Sequence, residues 1–124
     1  MKYYAYTIDL KNNEKRIEEY LEHHRNPRKD VIQAVVDTGV VDEKIWISGN
    51  HLFMIVVADD NWDPSNLQKY AMTSAGKEWD ELMRAYQQPV KEAREGEWWS
   101  QMSLVVDLDA DSKKLQIEKR KQNA

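Results

Sequence analysis

The first residues in this chain that suggest chemistry are Tyr20 and His24. They stand four apart, so on a helix one side chain lies above the other. Ile17, Tyr20, Leu21 and His24 fall at i, i+3, i+4 and i+7, which places the pair on an apolar stripe and not on a solvated face. Histidine against an apolar surface beside a phenol is a candidate acid–base group, since its unperturbed pKa is about 6.5. The competing reading of the same residues is a structural histidine bonded to a tyrosine. His23 lies one residue off the stripe and is expected to face solvent. His51 follows a turn and reads as a strand-edge residue.

The aromatic balance adds a second signal. Five Trp and six Tyr stand against one Phe. Trp and Tyr carry a polar handle that Phe lacks, which suits ligands with mixed faces, and the C–H face of a pyranose packs on an indole. Trp46 is expected in the core. Trp79 sits on a helical stripe with Leu82, Met83 and Tyr86, while Trp62, Trp98 and Trp99 fall in loops, where core packing explains them less well. Among the carboxylates beside Trp79, Glu78 and Glu81 are expected in solvent and Asp80 at the edge of a site.

Several chemistries find no support. The chain has no cysteine, so it has neither disulfides nor thiolate chemistry. The adjacent pair His23-His24 has no metal-ligand spacing, and no metal is expected. No dinucleotide or phosphate loop and no GxSxG elbow occurs. A net charge of −4 gives no basic footprint for nucleic acid. The N-terminus lacks the apolar stretch of a signal peptide, and no segment approaches a membrane span of about 18 apolar residues, so the reading is cytoplasmic with no membrane partner.

The elements that must position these residues follow from periodicity. Residues 3–10 alternate and read as a strand, with Tyr4, Tyr6 and Ile8 on one face. Asn12-Asn13 offers a cap to the helix that carries Tyr20 and His24. Pro27 interrupts it. A second helical piece follows, with Val31, Ile32, Val35 and Val36 inward and Gly39 at its C-terminal end. Residues 44–48 and 52–58 read as a hairpin turned by Gly49-Asn50. The second of these strands is almost wholly apolar, which predicts cover on both faces. Helix is expected over about 66–88, broken near Gly76 and ended by Pro89, and residues 91–99 as loop. Residues 101–109 read as a last strand, with Met102, Leu104, Val106 and Leu108 on one side. The single domain is therefore expected over 1–109, with 110–124 as a charged C-terminal tail. The order β-α-β-β-α-β predicts a ferredoxin-like α+β fold, one antiparallel sheet with helices on one face. Its open face predicts a homodimer.

Six segments together resemble the L-rhamnose mutarotase family. They are Tyr20-Leu-Glu-His-His24, Asp37-Thr-Gly39-Val40, Gly49-Asn-His-Leu-Phe-Met-Ile55, Glu78-Trp79-Asp-Glu-Leu-Met83, Tyr86-Gln-Gln88 and Gly96-Glu-Trp-Trp-Ser-Gln-Met102. The resemblance covers roughly residues 3–109. It implies a dimeric α/β barrel that interconverts the anomers of a 6-deoxy-hexopyranose with no cofactor or metal. It also implies His24 as the acid–base residue with Tyr20 beside it, and sugar contacts at Trp79, at Asp80 and near Glu43. Three places depart from the pattern. Arg28-Lys29-Asp30 stands where many members carry Trp-Pro-Glu, Trp79-Asp80 replaces the Trp-Trp pair of some members, and Glu43 stands at a tyrosine position of others. These leave L-fucose open beside L-rhamnose.

Mutarotation opens a hemiacetal to the aldehyde, allows rotation about C1–C2, and closes the ring again. The expectation is that His24 protonates the ring oxygen, Tyr20 orients His24 and Trp79 packs on the sugar. Asp80 or Asp30 takes the second proton, and Trp62 and Trp98 line the site. Two other readings compete on the same scaffold. A cofactor-free monooxygenase would consume oxygen with a phenolic substrate. A non-catalytic sugar-binding module would bind without speeding anomer exchange.

Overall fold

The computed structural model describes residues 1–123. In chain order it contains β1 (Lys2–Leu10), α1 (Glu14–Arg25), α2 (Lys29–Val36), β2 (Val40–Ser48) and β3 (His51–Ala58). A 3₁₀ turn (Pro64–Asn66) then leads into α3 (Leu67–Ala71) and α4 (Ser74–Arg84), followed by β4 (Gln87–Gln88), β5 (Ser100–Met102) and α5 (Leu108–Gln122). The fold is ferredoxin-like α+β, and its sheet is antiparallel in the order β2-β3-β1-β4, with β5 also on β1.

Local chemistry explains the boundaries. The Asn13 side chain accepts from the Arg16 amide and starts α1. Gly39 has φ +101° where α2 turns into β2, and Gly49 has φ +59° in the β2–β3 turn, both positions that an L side chain resists. β1 and β3 alternate: Tyr6, Ile8 and Leu10 with Leu52, Met54, Val56 and Ala58 are buried beneath the helices.

The structure revises several expectations. β3 is central but covered on one face only, because the helices lie on one side and Phe53 faces away from them. Trp46 is 52% exposed on that same open face, paired with Phe53 at a ring distance of 5.6 Å, so it is not core. Ile32 and Val36 on α2 are exposed, and Ala34 is the buried residue instead. The break between α3 and α4 falls at Met72-Thr73, where Thr73 caps α4, and not at Gly76, which is buried within α4. α4 ends at Arg84, five residues before Pro89, because the chain must turn into β4 to pair with β1. The last strand is only three residues long. Residues 103–107 leave β1 and expose Leu104, Val105 and Val106, since alternation alone supplies no pairing partner. α5 begins at Leu108 and packs little against the rest. His23 is half-buried, with its ring against Tyr86 and Nε2 3.4 Å from the phenol oxygen, so it is only partly open to solvent.

Among the described residues no helix is long and apolar enough to cross a membrane, and no group of three or more potential ligands is placed to hold a metal ion.

Candidate functional site

A cavity of about 720 Å³ opens between α1, α2, α3, α4 and the helix-facing side of the sheet. One part of its wall is apolar, with Val31, Val35, Val40, Met54 and Met83. The rest is polar and aromatic: Tyr20, His24, Arg28, Glu43, Tyr70, Trp79, Asp80, Gln87, Trp98 and Trp99. An apolar wall facing a few converged polar groups is the usual form of a small-molecule site.

His24 is held tightly. Its Nδ1 lies 2.7 Å from the Tyr20 carbonyl oxygen one turn back. A carbonyl only accepts, so Nδ1 carries the proton and Nε2 of the neutral ring keeps its lone pair. The ring packs on the Tyr20 ring at 4.4 Å and meets Trp79 edge-on at 5.3 Å. Burial among these rings lowers the imidazole pKa, the Tyr20 carbonyl works in the opposite sense, and the neighbouring His23 lowers it further. A lowered pKa favours the neutral ring, with Nε2 as its free acceptor. Tyr20 does orient the ring, but through its backbone carbonyl and ring face, not through its hydroxyl.

The phenol of Tyr20 belongs to a second network. Trp98 Nε1 donates to Gln87 Oε1 at 2.8 Å, and Gln87 Nε2 donates to the Tyr20 hydroxyl oxygen at 3.4 Å. Burial first, then the charge of Glu43, pushes the Tyr20 pKa up to about 12 against the lowering effect of the Gln87 bond, so the phenol stays protonated.

The acidic wall comes from three elements. Tyr70 donates to Asp80 Oδ1 at 3.0 Å, and desolvation raises the Asp80 pKa against that bond and the charge of Arg84. Glu43, on β2, is exposed as a whole residue, yet its carboxyl is hemmed in by protein. Desolvation, then Asp42 and Asp80, raise its pKa. Burial of Tyr70 beside Asp80 raises that phenol too. Arg84 lies over the Trp98 ring at 5.2 Å.

Of the residues singled out in the sequence, the cavity brings together His24, Tyr20, Trp79, Asp80, Glu43 and Trp98. Two fall elsewhere. Trp62 is 1% exposed in the core, its Nε1 3.5 Å from Thr38 Oγ1 and its ring against Tyr4, because the loop after β3 folds under the sheet end and needs a large plug there. Asp30 is on the exterior, bound to Arg28 at 2.6 Å. It is Arg28, also bonded to Glu78 at 2.8 Å, that lines the cavity. Sequence reasoning missed Gln87, Tyr70 and Arg28. Gln87 sits in the Tyr86-Gln-Gln88 segment and is 4% exposed, but a polar residue in a two-residue strand leaves no periodic trace.

Comparison with known proteins identifies the family and the fold. A family profile described as L-rhamnose mutarotase matches residues 3–108. A UPF0734 protein of Dictyostelium discoideum is 44% identical over 113 residues, covering 87% of this chain and 90% of that protein. An L-fucose mutarotase of Xanthomonas campestris pv. campestris is 25% identical over 110 residues, covering 84% and 86% respectively. The crystal structure of an L-rhamnose mutarotase from Formosa agariphila shares the fold at TM-score 0.64 and 21% identity, covering 86% of this chain and 98% of that one.

Proposed function

The chain belongs to the L-rhamnose mutarotase family, and from that premise we propose that it is a cytoplasmic isomerase that interconverts the α and β anomers of a free 6-deoxy-hexopyranose. L-rhamnose is the first candidate and L-fucose the second. The observation that carries the reading is His24, fixed through Nδ1 with Nε2 free in a residue that lines the cavity.

In the proposed reaction His24 Nε2 takes the proton of the anomeric hydroxyl. The C1–O5 bond breaks as C1=O1 forms, and the Glu43–Asp80 carboxyl pair gives a proton to O5. Their raised pKa values support the acid role: burial raises both, and the charges of Asp42 and then Asp80 raise Glu43 further. After rotation about C1–C2 the same groups run the steps in reverse and return both protons. Trp79 offers its ring to the C–H face of the sugar, and the apolar wall at Val35, Val40 and Met54 suits the C6 methyl.

The protein acts as a homodimer. Tyr3, Trp46, Phe53 and Met102 share the sheet face that the helices leave bare, and two such faces would cover each other.

Saturation-transfer NMR of anomer exchange across L-rhamnose, L-fucose and other deoxy sugars tests the reading. Exchange of one sugar should be accelerated, and His24→Ala should slow it by about 10²–10⁴-fold, the usual share of a positioned acid–base group. Binding without accelerated exchange, or full activity in His24→Ala, would overturn it.

A further inference from the structure

A tryptophan indole is a donor only, and this fixes the sense of a whole hydrogen-bond chain. Trp98 Nε1–H can meet only the oxygen of the Gln87 amide, 2.8 Å away. The Gln87 NH₂ must then face Tyr20, so the phenol oxygen accepts at 3.4 Å. Gln87 is buried, so water does not compete for the amide. With an acceptor site of the phenol already filled by Gln87, its own proton points away from that amide. Among the described residues no protein group accepts it, and Tyr20 lines the cavity.

We propose that Gln87 and Trp98 are positioning residues that orient the Tyr20 hydroxyl as a hydrogen-bond donor to the anomeric oxygen of the bound sugar. The inference rests on the anomer-exchange reading above. The Tyr20 and His24 ring centroids lie 4.4 Å apart and both residues line the cavity, so the two groups serve the same part of the site. As His24 withdraws the O1 proton, negative charge grows on O1, and a donor already aimed there strengthens without reorganisation. The phenol lends a hydrogen bond and gives up no proton, which fits a pKa of about 12. Trp98 thus serves the site through its N–H and not only through its ring.

Gln87→Glu tests the chain. A carboxylate still accepts from Trp98, but it also accepts from Tyr20, which turns the phenol proton away from the cavity. The expected result is a fall in kcat of about tenfold with KM nearly unchanged, since the lost bond is one that strengthens in the transition state. In a Tyr20→Phe background the same change should cost less than about twofold, because no phenol proton is left to aim. Gln87→Leu should shift the indole N–H resonance of Trp98, assigned by its loss in Trp98→Phe, whether or not the sugar is turned over. Equal losses in both backgrounds, a loss confined to KM, or an unmoved indole resonance would overturn the proposal. A wild-type protein that accelerates no sugar would sink the anomer-exchange reading instead, while the indole shift would still report on the network.

Discussion

Gly76→Ala sets two physical effects against each other, and the structure says which wins. Gly76 lies in the first turn of α4, where alanine is worth about 1 kcal/mol over glycine by intrinsic helix preference. A Cβ there, however, would stand 2.0 Å from the Tyr70 carbonyl oxygen, 2.9 Å from its carbon and 3.0 Å from Thr73 Oγ1. The oxygen is backbone and cannot rotate aside. It also accepts from the Thr73 amide at 3.0 Å and the Thr73 hydroxyl at 2.7 Å, which pin it to the cap of α4. Relief needs α3 and α4 to part by more than an ångström, and overpacking of this kind costs about 1–3 kcal/mol or more. A 2.0 Å approach to backbone belongs at the upper end of that range, so about 3 kcal/mol against about 1 leaves a net loss of about 2 kcal/mol, or a fall in Tm of roughly 8 °C for a domain of this size. Thermal unfolding at fixed protein concentration measures it, since subunit association also moves Tm. The Tyr70 hydroxyl moves with its backbone and leaves Asp80 without its only hydrogen bond from the protein among the described residues, so sugar affinity should drop as well. An unchanged or raised Tm would refute the reasoning, because it would mean the α3–α4 junction yields at no cost.

Other expectations follow from the same geometry. Burial lowers the His24 pKa, so the base form persists to lower pH than in a free imidazole, and kcat/KM should fall only as pH drops below the usual imidazole range. Trp79→Ala lets water reach the ring and should move this acidic limb upward towards 6.5; a limb that stays in place would show that Trp79 does not shield His24. Phe53→Glu puts a charge on the bare sheet face and should convert a dimer into a monomer by sedimentation velocity, whereas unchanged association would move the interface elsewhere. Deletion of residues 110–124 should leave exchange rates intact, since α5 packs little against the domain. A large loss of activity would tie that helix to the site.

Much of the architecture can be read along the chain because burial and periodicity coincide. The stripe Ile17-Tyr20-Leu21-His24 faces the sheet, Asn13 caps its helix, and Gly39 and Gly49 take the backbone angles their turns require. Where pattern and pairing part, the reading fails. Met102, Leu104, Val106 and Leu108 alternate as a strand would, but a strand needs a neighbour, and residues 103–107 have none among the described residues. Trp46 and Trp62 invert expectation for a related reason. Which face of a sheet is covered, and where a loop returns to the body, depend on tertiary packing and not on residue type. The site is half legible. Tyr20, His24, Trp79 and Asp80 show through helical spacing and resemblance. Gln87, Tyr70 and Arg28 reach the cavity from short or irregular elements whose sequence carries no period.

The anchoring of His24 to a carbonyl one turn back has a consequence for the proposed anomer exchange. The imidazole cannot swivel without abandoning that anchor, so in that reaction protons would come and go through one fixed nitrogen. The protein would then be a stationary post, and the aldehyde would do the turning, bringing first one and then the other side of its carbonyl to the same place. Room for that pirouette, more than a close fit to either ring form, is what the wide chamber around His24 would provide.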